Sequence, residues 1–362
     1  MRIGSISENL SFEKRVSITP EVAKKFIKDG FIVKLEKNYG EHLGFLDKDY
    51  KSLGVEISED KEKIIKDSEI IVQLSLPSEN LFENFDEKKK LVGVLNPYLN
   101  QEKLNILIKK NVKCFSLELL PRITRAQSMD ILSSQANLAG YKAVVESFSS
   151  FEKAIPMMMT AAGTVPAAKV LVVGAGVAGL QAIATAKRMG AIVFATDVRA
   201  ASKEQVESLG GKFLTVEGAD NLETEGGYAK ETSEEFKKKQ EELLSETLKK
   251  IDIVICTALI PGKKAPVILN DKMLNNLSAG SIVYDLAAVQ GGNTAVSEVD
   301  KVIDRKGVKI MGDSNILNKL PVSASNLYSK NIYNFIHNLY DKEKKVVNIN
   351  LEDEIIEKTL IK

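Results

Sequence analysis

The fold of this chain is decided by the stretch Lys169-Val-Leu-Val-Val-Gly174-Ala-Gly176-Val-Ala-Gly179-Leu-Gln-Ala. Apolar residues lead into a G-x-G-x-x-G pattern, and a helix-compatible run from Val177 to Met189 follows, ended by Gly190. This order predicts a buried strand, a tight glycine turn and a buried helix. A membrane-spanning helix would need about 20 apolar residues without such interruptions, so this run is not one.

Each glycine has a physical reason in such a turn. Gly174 permits the tight turn, Gly176 lets a pyrophosphate approach the backbone, and Gly179 lets the helix pack closely on the strand. Val177 and Ala178 open the helix, where free N–H groups and a partial positive charge favour phosphates. The pattern predicts a dinucleotide site, and the alternative is a glycine turn that binds nothing.

An acidic residue follows the next predicted strand, Ile192 to Thr196. This residue, Asp197, lies 18 positions after the last glycine of the turn. The separation is close to the roughly 20 residues that place an acid on the ribose of a dinucleotide. A carboxylate accepts hydrogen bonds from both ribose hydroxyls and repels a 2′-phosphate, which favours NAD over NADP. Val198 and Arg199 belong to the same candidate site, although an arginine near this point can also receive that phosphate.

The composition excludes several classes of protein. The chain has 362 residues, 44% of them hydrophobic, which suits two domains of ordinary size. Fifty basic residues against forty-nine acidic ones give no reason to expect nucleic acid as a partner. Two cysteines and two histidines cannot build a disulfide framework or a histidine-rich metal site, so we expect no metal and a reducing, cytoplasmic compartment.

Strand patterns alternate with helical patterns along most of the chain, which implies mostly parallel sheets covered on both faces. The polar segment from Pro121 to Asp130 interrupts this rhythm and leads into a long helix, roughly Met129 to Phe148. We expect an α/β fold with two Rossmann-like domains and a cleft between them. The expected domains are residues 1–130 completed by about 320–362, and residues 131–319. The predicted strands are Phe31–Glu36, Ser68–Leu74, Leu91–Leu95, Val112–Leu117, Lys169–Val173, Ile192–Thr196, Ile251–Thr257, Ser281–Asp285 and Val308–Met311.

The polar segment is unusual because it holds two arginines in a chain that strongly prefers lysine. Only seven of the fifty basic residues are arginines, which indicates a need for the planar guanidinium. An arginine, a glutamine and an aspartate can hold a carboxamide and a ribose but cannot supply a base near neutral pH. The alternatives are a surface ion pair for the arginines and helix-end stabilisation for the aspartate. The residues concerned are Arg122, Arg125, Gln127, Asp130 and Ser133.

Two further segments are strongly polar. Residues 220–240 combine glutamate, lysine, glycine and threonine and contain Gly226-Gly227-Tyr228. They read as a solvated surface loop with a charged helix, or alternatively as a mobile lid over a ligand. The segment from Asn331 to Lys362 is predicted to be helical and charged.

Long motifs of this chain resemble the NAD(H)-binding component of proton-translocating nicotinamide nucleotide transhydrogenase. The resemblance runs from Arg2 to about Leu339. The motifs are Pro121-Arg-Ile-Thr-Arg-Ala-Gln-Ser-Met-Asp-Ile-Leu-Ser-Ser-Gln-Ala-Asn-Leu-Ala-Gly-Tyr-Lys-Ala-Val, Pro156-Met-Met-Met-Thr-Ala-Ala-Gly-Thr-Val-Pro, Thr196-Asp-Val-Arg-Ala-Ala, Thr257-Ala-Leu-Ile-Pro-Gly-Lys, and Asp285-Leu-Ala through Gly291-Gly-Asn.

The resemblance implies that this chain binds NADH and passes hydride to NADP⁺ on a partner subunit, coupled to proton movement through a membrane subunit. It places Arg122, Gln127, Asp130 and Ser133 around the nicotinamide and its ribose, with Gln127 orienting the ring and Asp130 ordering Arg122. The other residues that it implies at the nucleotide are Gly227 and Tyr228 of a mobile loop, Ala258 and Leu259.

The implied partners are the membrane-spanning subunits, the NADP(H)-binding beta subunit and a second copy of this chain. The chain stops at Lys362 without membrane helices, so it resembles the split form. The expected location is the cytoplasmic face of the inner membrane, as a peripheral protein.

The same superfamily includes alanine dehydrogenase, which gives an alternative function. Glu13-Lys-Arg-Val-Ser-Ile-Thr-Pro resembles its N-terminal motif, in which the arginine, here Arg15, holds a substrate carboxylate. However, Ser75 and Asn96 stand where that motif has a catalytic lysine and a catalytic histidine, and neither accepts a proton near pH 7. An amino-acid dehydrogenase would need another base, such as Lys34 or Lys37; otherwise Arg15 is a structural remnant that pairs an acid. A third possibility is a nucleotide sensor without catalysis.

Overall fold

The structure is a computed structural model that describes residues 1–199, 201–216, 234–260 and 263–362. The chain divides into two compact units, residues 1–135 with 317–362, and residues 136–316. In each unit, strands that form a mostly parallel sheet alternate with helices.

The first unit begins with a six-stranded sheet in which every neighbouring pair is parallel. Its elements are β1 (Arg2–Ser5), α1 (Pro20–Lys28), β2 (Ile32–Glu36), α2 (Asp47–Ser52), β3 (Glu56–Ser58), α3 (Lys61–Asp67), β4 (Ile70–Val72), β5 (Lys90–Gly93), α4 (Pro97–Lys109) and β6 (Lys113–Ser116). The strand order is β3-β2-β1-β4-β5-β6. The order reverses between β1 and β4, as in a doubly wound Rossmann sheet.

Helix α5 (Ile131–Ser150) begins in the first unit and continues into the second. The elements of the second unit that follow are β7 (Met158–Thr160), β8 (Gly163–Val165), β9 (Lys169–Val173), α6 (Val177–Arg188), β10 (Ile192–Thr196), α7 (Ser202–Ser208), β11 (Lys212–Phe213), α8 (Glu234–Leu248), β12 (Ile253–Cys256), α9 (Asp271–Leu274), β13 (Ile282–Asp285), β14 (Lys301–Arg305) and β15 (Val308–Gly312). The main sheet has the order β11-β10-β9-β12-β13-β15-β14 and reverses between β9 and β12.

The predicted strand and helix at the glycine turn are confirmed almost to the residue. Strand β9 has the predicted bounds, and α6 ends one residue before the predicted Met189. Leu171 and Val173 of β9 join a core with the buried faces of β12, β13 and α8. This central strand is apolar because helices cover both faces of a parallel sheet.

The chain then returns to the first unit through α10 (Pro321–Leu339), β16 (Tyr340–Asp341), β17 (Val346–Val347) and α11 (Glu354–Thr359). The prediction that the segment from Asn331 to Lys362 is helical is therefore wrong in part, because β16 and β17 form an antiparallel pair inside it. Its apolar residues recur at helical spacing and are buried with the first sheet. They are Tyr328, Ile332, Phe335, Ile336, Leu339, Ile355 and Ile356.

Besides β16 and β17, the strands β1, β3, β7, β8, β11 and β14 were not predicted. Strand β14 runs antiparallel to β15 at the edge of the second sheet, and its Lys301-Val-Ile-Asp-Arg sequence is mostly exposed. Strands β7 and β8 form a small antiparallel hairpin whose residues lie mostly on the surface. An edge strand without a buried face carries little hydrophobic pattern. The predicted class, an α/β fold with mostly parallel Rossmann-like sheets, is confirmed.

None of the helices within the described ranges is both long enough and apolar enough to cross a bilayer.

Candidate functional site

The glycine turn after β9 is closed by contacts that only glycine permits. Gly174 has a φ of +93°, and a Cβ there would lie 2.8 Å from the Thr257 hydroxyl oxygen. That hydroxyl donates to the Gly174 carbonyl oxygen over 2.8 Å. A Cβ on Gly179 would lie only 1.9 Å from the same carbonyl oxygen, so the first turn of α6 rests directly on the loop.

Gly176 differs from its two neighbours because the space beside it is open. Within the described parts of the chain, the single atom within 4 Å of a Cβ built there is Arg199 Nη2, at 3.9 Å. Gly176 is the N-cap of α6, so the N–H groups of the first helical residues, Val177 and Ala178, follow directly. An uncovered backbone at a helix N-terminus is what a pyrophosphate requires.

Asp197 follows β10, and its carboxylate is saturated with hydrogen bonds. Oδ2 accepts from Ala175 N at 2.7 Å and from Arg199 Nη2 at 2.8 Å. Oδ1 accepts from Arg199 N at 2.9 Å and Arg199 Nε at 2.8 Å. A carboxylate offers about four acceptor positions, so a ribose hydroxyl can bind only by displacing one of these donors.

The charge of Asp197 is fixed by the same contacts. Burial opposes ionisation, but the hydrogen bonds and charge of Arg199, helped by two backbone N–H groups, hold the pKa of Asp197 below its ordinary value. The side chains of Asp197 and Arg199 are 7% and 17% exposed, which makes this an enclosed ion pair. Arg199, which could have bound a 2′-phosphate, therefore binds the carboxylate of Asp197 instead.

Ala258 and Leu259 follow β12, on the other side of the point where the strand order reverses. The Asn293 side chain holds Ala258 by accepting from its N–H at 2.9 Å and donating to its carbonyl oxygen at 2.8 Å. Buried Asp285 in turn accepts from Asn293 N at 2.7 Å. The role of Asn293 was not predicted from the motif Gly291-Gly-Asn. The feature of the sequence that could have indicated it is an asparagine directly after two glycines.

The structure thus gathers several predicted residues of the second unit at the carboxyl ends of neighbouring parallel strands. Ligands of open α/β sheets bind at such a reversal of strand order. The residues are Gly174, Gly176 and Gly179 after β9, Asp197, Val198 and Arg199 after β10, and Ala258 and Leu259 after β12.

Helix α5 packs against this turn through Gly140. A Cβ at Gly140 would lie 2.0 Å from the carbonyl oxygen of Ala178, a backbone atom that cannot move without moving the start of α6. We expect Gly140→Ala to lower stability by about 1–3 kcal/mol, because overpacking outweighs the roughly 1 kcal/mol that alanine gains in a helix. NADH affinity, measured by titration, should fall in parallel with the melting temperature.

The control for Gly140→Ala is Ser149→Ala, at an exposed position of the same helix. It should leave both the melting temperature and the affinity unchanged. A Gly140→Ala variant with a raised melting temperature would contradict the close packing of α5 on α6.

In the first unit, a 3₁₀ turn (Thr124–Met129) carries the polar segment. Ala126 and Met129 are buried and anchor the turn, whereas Arg122 and Gln127 are exposed. Asp130 accepts from Ser133 N at 2.9 Å and from Ser133 Oγ at 2.5 Å. The interpretation that Asp130 stabilises a helix end therefore has direct support, since it caps α5.

Arg125 forms an ion pair at the surface, which was one of the two interpretations of the arginines. Its guanidinium forms a two-pronged ion pair with Asp353, in which Nη1 lies 3.0 Å from Oδ2. The structure therefore joins the polar segment to residues more than two hundred positions later in the sequence. No sequence pattern indicated this partner.

Arg15 lies in an internal network of the first unit. Its guanidinium donates to both oxygens of Glu13, with Nε–Oε1 at 2.8 Å and Nη2–Oε2 at 2.6 Å, and Nη1 donates to Gln135 at 2.8 Å. The expectation that Arg15 pairs an acid is confirmed. The positive charge of Arg15 is neutralised by the carboxylate of Glu13 in the same chain.

Glu8 is a half-buried acid that no sequence pattern indicated. Oε1 accepts from Leu74 N at 2.8 Å and Ser75 N at 3.2 Å, where β4 ends. Burial raises the pKa of Glu8 to about 7 against these hydrogen bonds, with a further rise from the charge of Glu13. The position lies where the first sheet reverses, between the ends of β1 and β4.

The predicted loop residues Gly226, Gly227 and Tyr228 lie outside the described residues, although α8 confirms a charged helix from Glu234 onward. Among the residues whose positions are described, no group of three or more His, Cys, Asp or Glu side chains could hold a metal ion.

Comparison with known proteins gives a consistent picture. The alanine dehydrogenase/PNT family models match the chain, with the N-terminal domain at residues 4–139 and the C-terminal domain at residues 143–362. A protein of Rickettsia prowazekii (strain Madrid E), named as the first part of the NAD(P) transhydrogenase subunit alpha, is 47% identical, covering 100% of this chain and 94% of that protein. The corresponding alpha polypeptide of Rhodospirillum rubrum is 46% identical, covering 100% of this chain and 96% of that protein.

Solved structures agree with these relatives. A transhydrogenase from Sinorhizobium meliloti superposes with a TM-score of 0.88 at 41% identity, covering 99% of this chain and 98% of that chain. An L-alanine dehydrogenase superposes with a TM-score of 0.82 at 20% identity, covering 99% of this chain and 94% of that chain, and so shares the fold.

Proposed function

This chain belongs to the alanine dehydrogenase/PNT family, and we propose that it is the NAD(H)-binding component of a proton-translocating transhydrogenase. Bound NADH supplies a hydride, which passes to NADP⁺ held by a partner subunit. The observation that carries the proposal is the glycine turn: an open Gly176 backbone at a helix N-terminus, one strand away from the enclosed carboxylate of Asp197.

The residues of the second unit have separate binding roles in this proposal. The backbone of Gly174 to Gly179 receives the pyrophosphate, and the N–H groups of Val177 and Ala178 stabilise its charge. Asp197 accepts the adenosine ribose hydroxyls once Arg199 gives up a bond. The Ala258 and Leu259 backbone, held by Asn293, forms the wall beside the nucleotide.

The polar segment of the first unit acts on the nicotinamide end. Gln127 orients the ring, and Arg122 and Ser133 hold the ribose and the neighbouring polar groups. Asp130 contributes by keeping Ser133 in place, as its two hydrogen bonds from that residue support. None of these residues needs to move a proton, which suits a direct hydride transfer between rings about 3–3.5 Å apart.

Partner proteins complete the activity. Membrane-spanning subunits carry the proton, a beta subunit presents NADP(H), and the chain works as a peripheral protein on the cytoplasmic face of the inner membrane. A homodimer is supported by the β7–β8 hairpin, where Met157 and Met159 are 57% and 81% exposed. Adjacent exposed apolar side chains of this kind are typical of interaction surfaces.

A mixing assay tests the proposal. Alone, the chain should bind NADH but reduce no small substrate, because it lacks the second ring. With an NADP-binding transhydrogenase subunit and NADPH, it should transfer hydride to an NAD analogue, followed by absorbance. NADH binding without transfer in the presence of any such partner would instead support a nucleotide sensor.

A second candidate function, an amino-acid dehydrogenase, is favoured by one observation. Glu8, whose pKa is raised to about 7 by burial, contacts Ser75 N and could serve as a base near neutral pH. Against it, Arg15 is already neutralised by Glu13. The lysines suggested by the sequence serve poorly, because Lys34 is paired with Asp67 and the hydrogen bond that Lys37 donates to Glu59 raises the pKa of Lys37.

The two candidates separate in one experiment. NADH-dependent reduction of pyruvate with ammonia by the chain alone would overturn the transhydrogenase proposal. In that case Glu8→Gln should abolish the activity, and the wild-type rate of the reverse reaction, amino-acid oxidation with NAD⁺, should rise with pH through about 7 as Glu8 loses its proton.

A further inference from the structure

The turn that carries Gln127 is exposed and only six residues long, so contacts from other segments of the chain are needed to hold it in one conformation. Its buried residues, Ala126 and Met129, fix the inner face of the turn. The direction of the Gln127 amide also depends on how the backbone around it is held, which includes a hydrogen bond from Asp130 N to the Gln127 carbonyl at 3.3 Å.

The Ser128 carbonyl, in the second peptide group after Gln127, is held by two asparagine amides from α10. Asn331 Nδ2 donates to this oxygen at 2.8 Å, and Asn334 Nδ2 donates to it at 2.9 Å. The two asparagines are three residues apart and therefore lie on one face of the helix. A carbonyl with both acceptor positions filled cannot rotate without breaking both bonds.

Asn331 has a second contact that extends the restraint. Its Oδ1 accepts from Ser134 Oγ at 2.7 Å, in the first turn of α5, and the residue is only 7% exposed. One side chain therefore bridges the end of the turn and the start of the next helix.

The third contact lies on the other side of Gln127. Arg125 forms its two-pronged ion pair with Asp353, which also caps α11 by accepting from Ile355 N at 3.0 Å. Asn338 Nδ2 adds a longer contact to the same carboxylate at 3.3 Å. The hydrogen bonds of Arg125 and the cap hold the pKa of Asp353 low against the opposing effect of burial.

We propose that the segment 317–362 is a positioning element for the hydride-transfer step, in which Asn331, Asn334 and Asp353 hold the turn so that the Gln127 amide is fixed. These are positioning residues, since their partners are the Ser128 carbonyl and the Arg125 guanidinium. The inference rests on the proposed function of Gln127. Glutamine has a flexible side chain, so its direction depends on a rigid backbone beneath it.

The test uses the double variant Asn331→Ala/Asn334→Ala, with Asn348→Ala as the control. Asn348 is an exposed asparagine of the same C-terminal segment. The double variant should lower the hydride-transfer rate with the partner subunit about tenfold, since small misplacements cost this much or more. The NADH dissociation constant should stay within about twofold, because the pyrophosphate and ribose contacts are unchanged.

A double-mutant cycle distinguishes positioning from general damage. In a Gln127→Ala background the asparagine substitutions should have little further effect on transfer, because the amide that they orient is gone. An equal tenfold loss in that background would overturn the proposal, as would a transfer rate unchanged from wild type.

Amide hydrogen exchange supplies a readout that does not depend on activity. In the full chain without nucleotide, residues 122–130 should exchange faster in the double variant, while the β9 peptides keep their protection. Unchanged exchange in 122–130 would overturn the positioning role. Failure of wild-type transfer would count against the proposed function alone. Arg125→Gln offers a second route, since it releases the turn from Asp353 and leaves α10 intact.

Discussion

Replacing Gln127 by asparagine is expected to slow hydride transfer about a hundredfold while changing NADH affinity by less than about threefold. Asparagine keeps the carboxamide and removes one methylene, so the chemical group remains but its reach shortens. Near-attack geometry depends on distances finer than that change, whereas nucleotide affinity depends mainly on the pyrophosphate and ribose contacts. The exposed position of Gln127 gives the shorter side chain room without disturbing the core.

The measurement is single-turnover transfer with the partner subunit, together with NADH titration of the variant alone. Thr124→Ser serves as the control, because it shortens an exposed side chain in the same 3₁₀ turn. If Gln127→Asn lost affinity and transfer rate by the same factor, the residue would hold the nucleotide in general and not orient its ring.

The second large effect concerns Asp197. We expect Asp197→Ala to weaken NADH binding about a hundredfold, because charge-assisted hydrogen bonds to ribose hydroxyls contribute about 1.5–3 kcal/mol each. Part of the loss reflects the enclosed guanidinium of Arg199, which loses its ion pair with Asp197. The double variant Asp197→Ala/Arg199→Ala removes that cation and should still bind NADH poorly.

Calorimetric titration with NADH measures the effect, and Glu204→Ala controls for the loss of one negative charge from the same unit. An affinity equal to that of the wild type would reject the ribose assignment. Because the folded pKa of Asp197 lies below its unfolded value, the stabilisation by its pair with Arg199 is present above the unfolded pKa. It is lost only as the pH falls through the lowered folded value.

Local patterns in the sequence predicted the glycine turn well. The bounds of β9 and β10 match the predicted strands, because apolar residues and glycines encode a buried strand and a tight turn at short range. The family resemblance is likewise confirmed by relatives that cover the whole chain. It rested on motifs that are long enough to be specific.

Contacts between distant residues could not be predicted in the same way. Nothing near Asp353 or Asn334 in the sequence indicates that they bind Arg125 and the Ser128 carbonyl. The ion pair between Arg199 and Asp197 was also not predicted, although the two residues are only two positions apart. A side chain's choice between a ligand and a neighbouring carboxylate depends on its rotamer, which periodicity and spacing do not determine.

The first unit is built from two separate stretches of the chain, and this has a consequence for folding during synthesis on the ribosome. Residues 1–135 are translated first, yet some of the helices that cover their sheet, α10 and α11, lie in 317–362, which are translated last. The second unit is continuous and can finish folding while the N-terminal sheet still exposes Ile3, Val33 and Phe115. A nascent chain in this state is a substrate for chaperones, and a premature stop codon near residue 316 would leave that sheet permanently open to aggregation.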